Sequence, residues 1–357
     1  MSSIWKNNLT LSIFGESHGR AIGMTIDGIP AGEEIDSKIL RTFLKRRVPG
    51  RFPWTTSRTE ADIPEFLSGL KAGKTTGSPI TAIIRNQNSR SSDYDDIKDI
   101  PRPGHADYSA YVKYGGNADM SGGGHFSGRL TAALCVAGGV CLQILKRRGV
   151  TIGAHIASIG NVSGHPFDML KIDAATLEVV SGLDFPVIDS EAKADMVAEI
   201  DRARQDKDSL GGIIECAAVG LPAGLGEHIF GGMENRIASL IFGIPAVTSL
   251  EFGIGFNCAE MRGSEYNDPF YFDGDIVKTK TNHHGGILGG MTTGMPLIFR
   301  ASIKPTPSIA RAQESVNLRT GESVNLEIMG RHDPCIVPRA VPSIEAVAAI
   351  ALLDAWA

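Results

Sequence analysis

The segment Leu130–Arg148, LTAALCVAGGVCLQILKRR, constrains this chain more than any other. It reads as a helix that is apolar on nearly every side, and such a helix must be covered by protein all round. Gly138 and Gly139 stand in its middle. Each costs about 1 kcal/mol of helix propensity relative to alanine, which predicts a second element packed closely there. The segment Ser343–Trp356, SIEAVAAIALLDAW, reads as another helix whose alanine-rich apolar surface suits core or subunit contact.

The other periodicities supply material to cover these helices. Leu9–Phe14 and Ile22–Ile26 predict strands flanking the turn GESHG. Asp36–Arg47 predicts a helix capped by Asp36 or Ser37, with Ile39, Leu40, Phe43 and Leu44 on its apolar face. Further strands are predicted at Ile80–Ile84, Ile152–Ile159, Ile213–Val219, Ser249–Ile254, Leu297–Ile303 and Val324–Met329. Helices are predicted at Tyr108–Lys113, Glu191–Gln205 and Glu234–Phe242, and residues 85–125 otherwise lack regular structure. Strands and helices do not alternate regularly, which favours an α+β fold over a doubly wound α/β one. No linker-like or low-complexity block divides the 357 residues, so the expectation is one compact domain over 1–357, with room for two lobes.

The net charge of −5 gives no basic field to attract nucleic acid, so an anionic partner must be met by a local basic cluster. No apolar run approaches the ~18 residues of a membrane span, and MSSIWKNNLTLS lacks the apolar stretch of a signal peptide. The five cysteines are scattered with no CxxC pair, which argues against a disulfide framework or a zinc site and for a reducing cytoplasm.

Glycine is the compositional anomaly: 42 of 357 residues, against an average near 7%. The glycines cluster in GESHG, in SGGGHFSG at 121–128 and in HHGGILGGMTTG at 283–294, which suggests backbone wrapped closely around a ligand. Basic and titratable residues cluster beside them. Lys45, Arg46 and Arg47 continue through a Pro-Gly loop to Arg51 and Arg58, and arginine forks match phosphate and carboxylate. Taken singly, those near 45–47 need only complement a helix C-terminus. RPGHADYSAYVKYGG crowds Arg102, His105, Asp107 and three tyrosines into one loop, where Asp107 could simply pair with Arg102. Ser127 could cap the apolar helix, whose N-terminus is an anion site. GESHG is not GxSxG, and neighbouring side chains on a strand face opposite ways, so Ser17 and His18 need not meet. No HExxH, GxGxxG or GxxxxGK[ST] motif is present.

Taken together, the stretches FGESHG, RPGHADYSAYVKYG, GGG–S–R–T at 122–131, NHHGGILGG, KPTPSI and GRHDPC–PRA resemble the chorismate synthase family in order and spacing, from Leu9 to the terminal helix. That resemblance implies an α+β fold with helices sandwiched between antiparallel β-sheets, assembled as a homotetramer. It implies conversion of 5-enolpyruvylshikimate 3-phosphate to chorismate and phosphate, the last common step of the shikimate pathway. The reaction is an anti-1,4-elimination that is redox-neutral yet needs reduced FMN. It would place His18 near the leaving phosphate as its acid, His105 near the flavin, and Asp333 near flavin N5 as a base. FMN would be held by His125, Phe126, Ser127, Ala246, Gly289, Lys304, Pro305, Thr306, Pro307, Ser308 and Arg331. The substrate's phosphate and carboxylates would meet Arg46, Arg47, Arg51 and Arg129.

The chain departs from the family pattern in places. Many members have RGGGRSSARET where this one has SGGGHFSGRLT, a third arginine where it has Val48, and Asn-Ala where it has Pro245-Ala246. Two other readings therefore stand beside the lyase: a flavin reductase using NADPH, although no nicotinamide fingerprint is visible, and a non-catalytic phosphoanion-binding protein.

Overall fold

The helix Thr131–Arg147 forms where the apolar run predicts, and nearly all of its residues are buried. In this computed structural model, which describes residues 3–50, 61–86, 99–328 and 333–356, that helix packs on one antiparallel sheet and on the helix Val337–Trp356, which packs on a second sheet. The first sheet orders its strands Ile4–Lys6, Thr10–Gly15, Ala21–Asp27, Ile80–Arg85 and Glu65–Ser68. The second orders Val247–Phe252, Leu297–Ile303, Gly212–Val219, Thr151–Ile159 and Val162–Ser163. Helices between antiparallel sheets are the architecture expected from the resemblance. One continuous cluster of buried side chains joins both sheets and the helices between them.

Strand Thr151–Ile159 is buried almost throughout instead of alternating. Its outer face is covered by the helices Ala174–Ser181 and Ser190–Gln205. The first of these is absent from the sequence reading; it is eight residues long and starts from Asp173, whose side chain accepts from Thr176 N. The helix Ser37–Lys45 is capped by Asp36, with Lys38 N at 2.6 Å. It buries Leu40 and Leu44 but leaves Ile39 57% exposed, so its apolar face is narrower than expected. The terminal helix begins at Val337, six residues before the expected start, with Pro342 inside it.

The paired glycines serve two neighbours. A Cβ on Gly138 would lie 2.3 Å from Ala346 Cβ and 2.4 Å from its Cα, so the two central helices meet backbone to backbone. A Cβ on Gly139 would lie 2.4 Å from Leu40 Cδ1, on the helix Ser37–Lys45. Among the described residues, Gly128–Arg147 is long and apolar enough to cross a membrane, contrary to the sequence reading, and 83% of its apolar window is buried inside the protein.

Gly138→Ala forces a methyl group against a helix backbone, whereas Gly139→Ala meets the end of a flexible side chain. We expect Gly138→Ala to destabilise by about 1–3 kcal/mol, as overpacking does, and Gly139→Ala by less. Thermal unfolding of both variants checks this; a gain in melting temperature for Gly138→Ala would contradict the close crossing.

Candidate active site

Two loops of the first half of the chain converge on the glycine run Gly122–Gly124. All three glycines have positive φ, which L side chains rarely adopt. A Cβ on Gly122 would lie 2.0 Å from His18 Cε1 and 3.1 Å from Ser17 Oγ. A Cβ on Gly123 would lie 3.2 Å from His105 Nε2. Bare backbone therefore separates the two histidines. Ser17 and His18 both border Gly122 because they stand in a turn, where strand alternation does not apply. Ser17 N donates to Gly124 O at 3.0 Å, tying the GESHG turn to the glycine run.

His105 is oriented by its own loop. Its Nδ1 lies 2.7 Å from Asp107 Oδ1 and 3.1 Å from Arg102 Nη2. The shorter contact assigns the Nδ1 proton to the hydrogen bond with Asp107 and turns Nε2 toward Gly123. Arg102 grips the same carboxylate through Nε at 2.7 Å and Nη2 at 2.8 Å. Burial raises the Asp107 pKa, but the hydrogen bonds from Arg102 and His105 outweigh it and hold the carboxyl well below the usual carboxylate range. The pairing of Arg102 with Asp107 is thus a turn contact that also orients a histidine.

The loop Lys304–Ser308 closes on this group. Lys304 Nζ donates to Gly104 O at 2.6 Å, and Arg102 Nη1 donates to Ser308 Oγ at 3.4 Å. Lys304 N donates to Ala246 O at 2.9 Å, and Ala246 has a φ of +73°, uncommon for a residue with a Cβ. Ser209 Oγ holds Thr306 O at 2.7 Å, and Pro307 packs on Gly104. Thr306 Oγ1 is buried and has no hydrogen-bond partner among the described residues.

Other predicted residues are committed to the protein itself. Arg46 makes a two-pronged ion pair with Glu345 of the terminal helix, one arm at 2.8 Å. Arg47, 3% exposed, pairs with Asp62 and donates to Thr131 Oγ1 at 2.9 Å and to the carbonyls of Gly128 and Arg129. Arg129 pairs with the other oxygen of Asp62. The two guanidiniums hold the Asp62 carboxyl below its ordinary range against the opposing effect of burial. His125 points away from the histidine pair: Nδ1 donates to Gly15 O at 2.7 Å, and Nε2 lies 2.6 Å from Ser3 Oγ. His125 thus joins the glycine run to the first sheet. Phe126 is half-buried in the same turn. Ser127 acts as the expected cap, accepting from Arg129 N at 3.3 Å, but for the short turn Gly128–Leu130 that leads into the helix. Gly289 stands in an exposed turn beside Met291. Asp333 pairs with Arg339, whose Nε donates to Arg47 O at 3.0 Å. Arg51 and Arg331 lie outside the described residues. Sequence reasoning missed Asp62 and Arg339, because a carboxylate in the polar stretch TEADIPE and an arginine after proline carry no local signal of burial or pairing.

Comparison with known proteins places the chain with one family. A family model described as chorismate synthase matches residues 9–357. The chorismate synthase of Lancefieldella parvula is 47% identical over 99% of this chain and 96% of its own length. That of Pyrococcus abyssi is 48% identical over 97% and 95%. A solved crystal structure of chorismate synthase superposes with a TM-score of 0.73 at 29% identity, covering 97% of this chain and 91% of that one. The likeness runs across nearly the full length, in sequence and in fold: the chain belongs to the chorismate synthase family.

Proposed function

We propose that this enzyme eliminates phosphate from 5-enolpyruvylshikimate 3-phosphate in the anti-1,4 sense, with reduced FMN bound, and that one domain of a cytoplasmic homotetramer carries the whole site. The observation that carries the reading is the glycine run held between His18 and His105. Backbone without side chains lets a substrate and a flat cofactor approach two imidazoles at once.

The residues fit a flavin mononucleotide. Thr306 Oγ1 is a buried polar atom with no partner among the described residues, and the bare backbone at Gly122 and Gly123 lets the imidazoles of His18 and His105 come up against the main chain. Lys304–Ser308 and Ala246 would hold the group, with Ser127 and Phe126 beside it. When bound, it supplies transient electron density to the substrate as phosphate departs. The protein does the rest. His18 meets the leaving phosphate and gives it a proton. Asp107 fixes the proton of His105 on Nδ1, so that its Nε2 faces the cofactor. Asp333, held by Arg339, takes the proton lost from the opposite face of the ring. Arg129 contributes positive charge for the anionic substrate. Arg46 and Arg47 act a step back, since both are spent on Glu345 and Asp62. Large apolar side chains left outside, Phe230, Phe256 and Phe272 at 89%, 81% and 77% exposure, are where copies of the chain would meet.

Three outcomes test this reading. Anaerobic phosphate release from 5-enolpyruvylshikimate 3-phosphate is expected with dithionite-reduced FMN alone. A requirement for NADPH would favour the reductase reading, and FMN binding without turnover the phosphoanion-binding one. His18→Ala and His105→Ala should each lower turnover by roughly 10²–10⁴-fold with the fold intact; wild-type rates in both would remove the assigned roles. Asp107→Asn should lower turnover by up to about 10²-fold through a misdirected imidazole. The folded-state pKa of Asp107 is depressed, so its stabilisation is present above the unfolded-state value and is lost only as pH falls through the folded one. Acid unfolding of the wild type, compared with Asp107→Asn, should therefore lose this contribution only below the ordinary carboxylate range.

A further inference from the structure

Asp62 lies outside every motif, yet its carboxylate bridges two arginines beside the site. Its side chain is 1% exposed, and its two oxygens take two different guanidiniums. Its φ is +46°, a conformation uncommon outside glycine, so the backbone is bent to deliver this carboxylate. Buried ion pairs are poor sources of stability, because desolvation offsets the attraction. A device that orients its partners accounts for the arrangement better.

The partners lead to both walls of the site. Through Oδ2, Asp62 holds Arg47, which grips the Gly128 and Arg129 carbonyls and the Thr131 hydroxyl where the glycine run enters the central helix. Through Oδ1, it holds Arg129, whose Nε donates to Asn86 Oδ1 at 3.1 Å. Asn86 Nδ2 then donates to Glu16 O at 3.1 Å and to Gly19 O at 2.8 Å, the two ends of the turn that carries His18. We propose that Asp62 is a positioning residue that acts through Arg129 and Asn86 on the turn bearing His18. This rests on the reading of His18 as the acid at the leaving phosphate.

The test uses Asp62→Asn and Asn86→Ala in the full chain, with two readouts. The first is the imidazole ¹H–¹⁵N correlation of His18 without flavin or substrate, with buried His155 of the second sheet as reference. The second is anaerobic phosphate release with reduced FMN. Both variants should move the His18 signals and leave those of His155. Turnover should fall by roughly 10–100-fold, with a smaller change in KM. The double variant should lose no more than the worse single one, since the residues act in one chain of contacts. Unmoved His18 signals with wild-type turnover in Asn86→Ala would overturn the proposal, as would strictly additive losses. Asn86→Ala carries the same test alone if Asp62→Asn does not fold. If the wild type itself releases no phosphate, the functional reading fails, while the His18 signals still decide whether the relay exists.

Discussion

The close crossing of the two central helices at Gly138 and Ala346 is the constraint on which the rest of the structure depends. With no side chain on Gly138 and only a methyl group on Ala346 at that point, the helices come near enough for each to serve one sheet while sharing a single buried layer. The terminal helix also carries buried charge into that layer. Glu345 accepts from Ala154 N of the second sheet at 2.9 Å and pairs with Arg46. Asp354 accepts from Leu9 N, just before a strand of the first sheet, at 2.6 Å and pairs with Arg236. A carboxylate buried at each such point is tolerable only because it is fully partnered, and the partners fix the helix against both sheets.

Scaffold and site meet at two adjacent residues. Arg46 turns to Glu345 in the core, and Arg47 turns to Asp62 beside the glycine run. The last turn of one short helix thus links the packing of the terminal helix to the loops that carry His18 and Arg129. Arg339 extends the link from Arg47 O to Asp333. Among the described residues, three guanidiniums (Arg47, Arg129, Arg339) share two carboxylates (Asp62, Asp333) in this linked group.

Much of this was legible beforehand. The apolar helix, its close glycine contact and most strands of the two large sheets follow from apolar periodicity, because burial imposes its period on the sequence; the α+β class follows from the irregular order of the elements, and the layering was implied by the family resemblance. His18, His105, Ser127 and the Lys304–Ser308 loop were visible as titratable or turn-forming residues among glycines. Arg46 and Arg47 show the limit. Their chemistry marks them as anion ligands, but whether the anion is a substrate or a carboxylate of the same chain depends on residues nearly 300 positions away in one case and 15 in the other. His125 is similar: its ring nitrogens are taken by Gly15 and Ser3, more than 100 residues distant.

The sequence by itself determined which segments must be buried, where the backbone must be bare, and which side chains can exchange protons or bind anions, since those are properties of residue type and spacing. Only the tertiary structure decided which charge meets which. Arg47 and Asp62, or His18 and Gly122, come together through the pairing of distant strands and the crossing of two helices. Coulomb attraction and hydrogen bonding act over a few ångströms of space, whatever their separation along the chain.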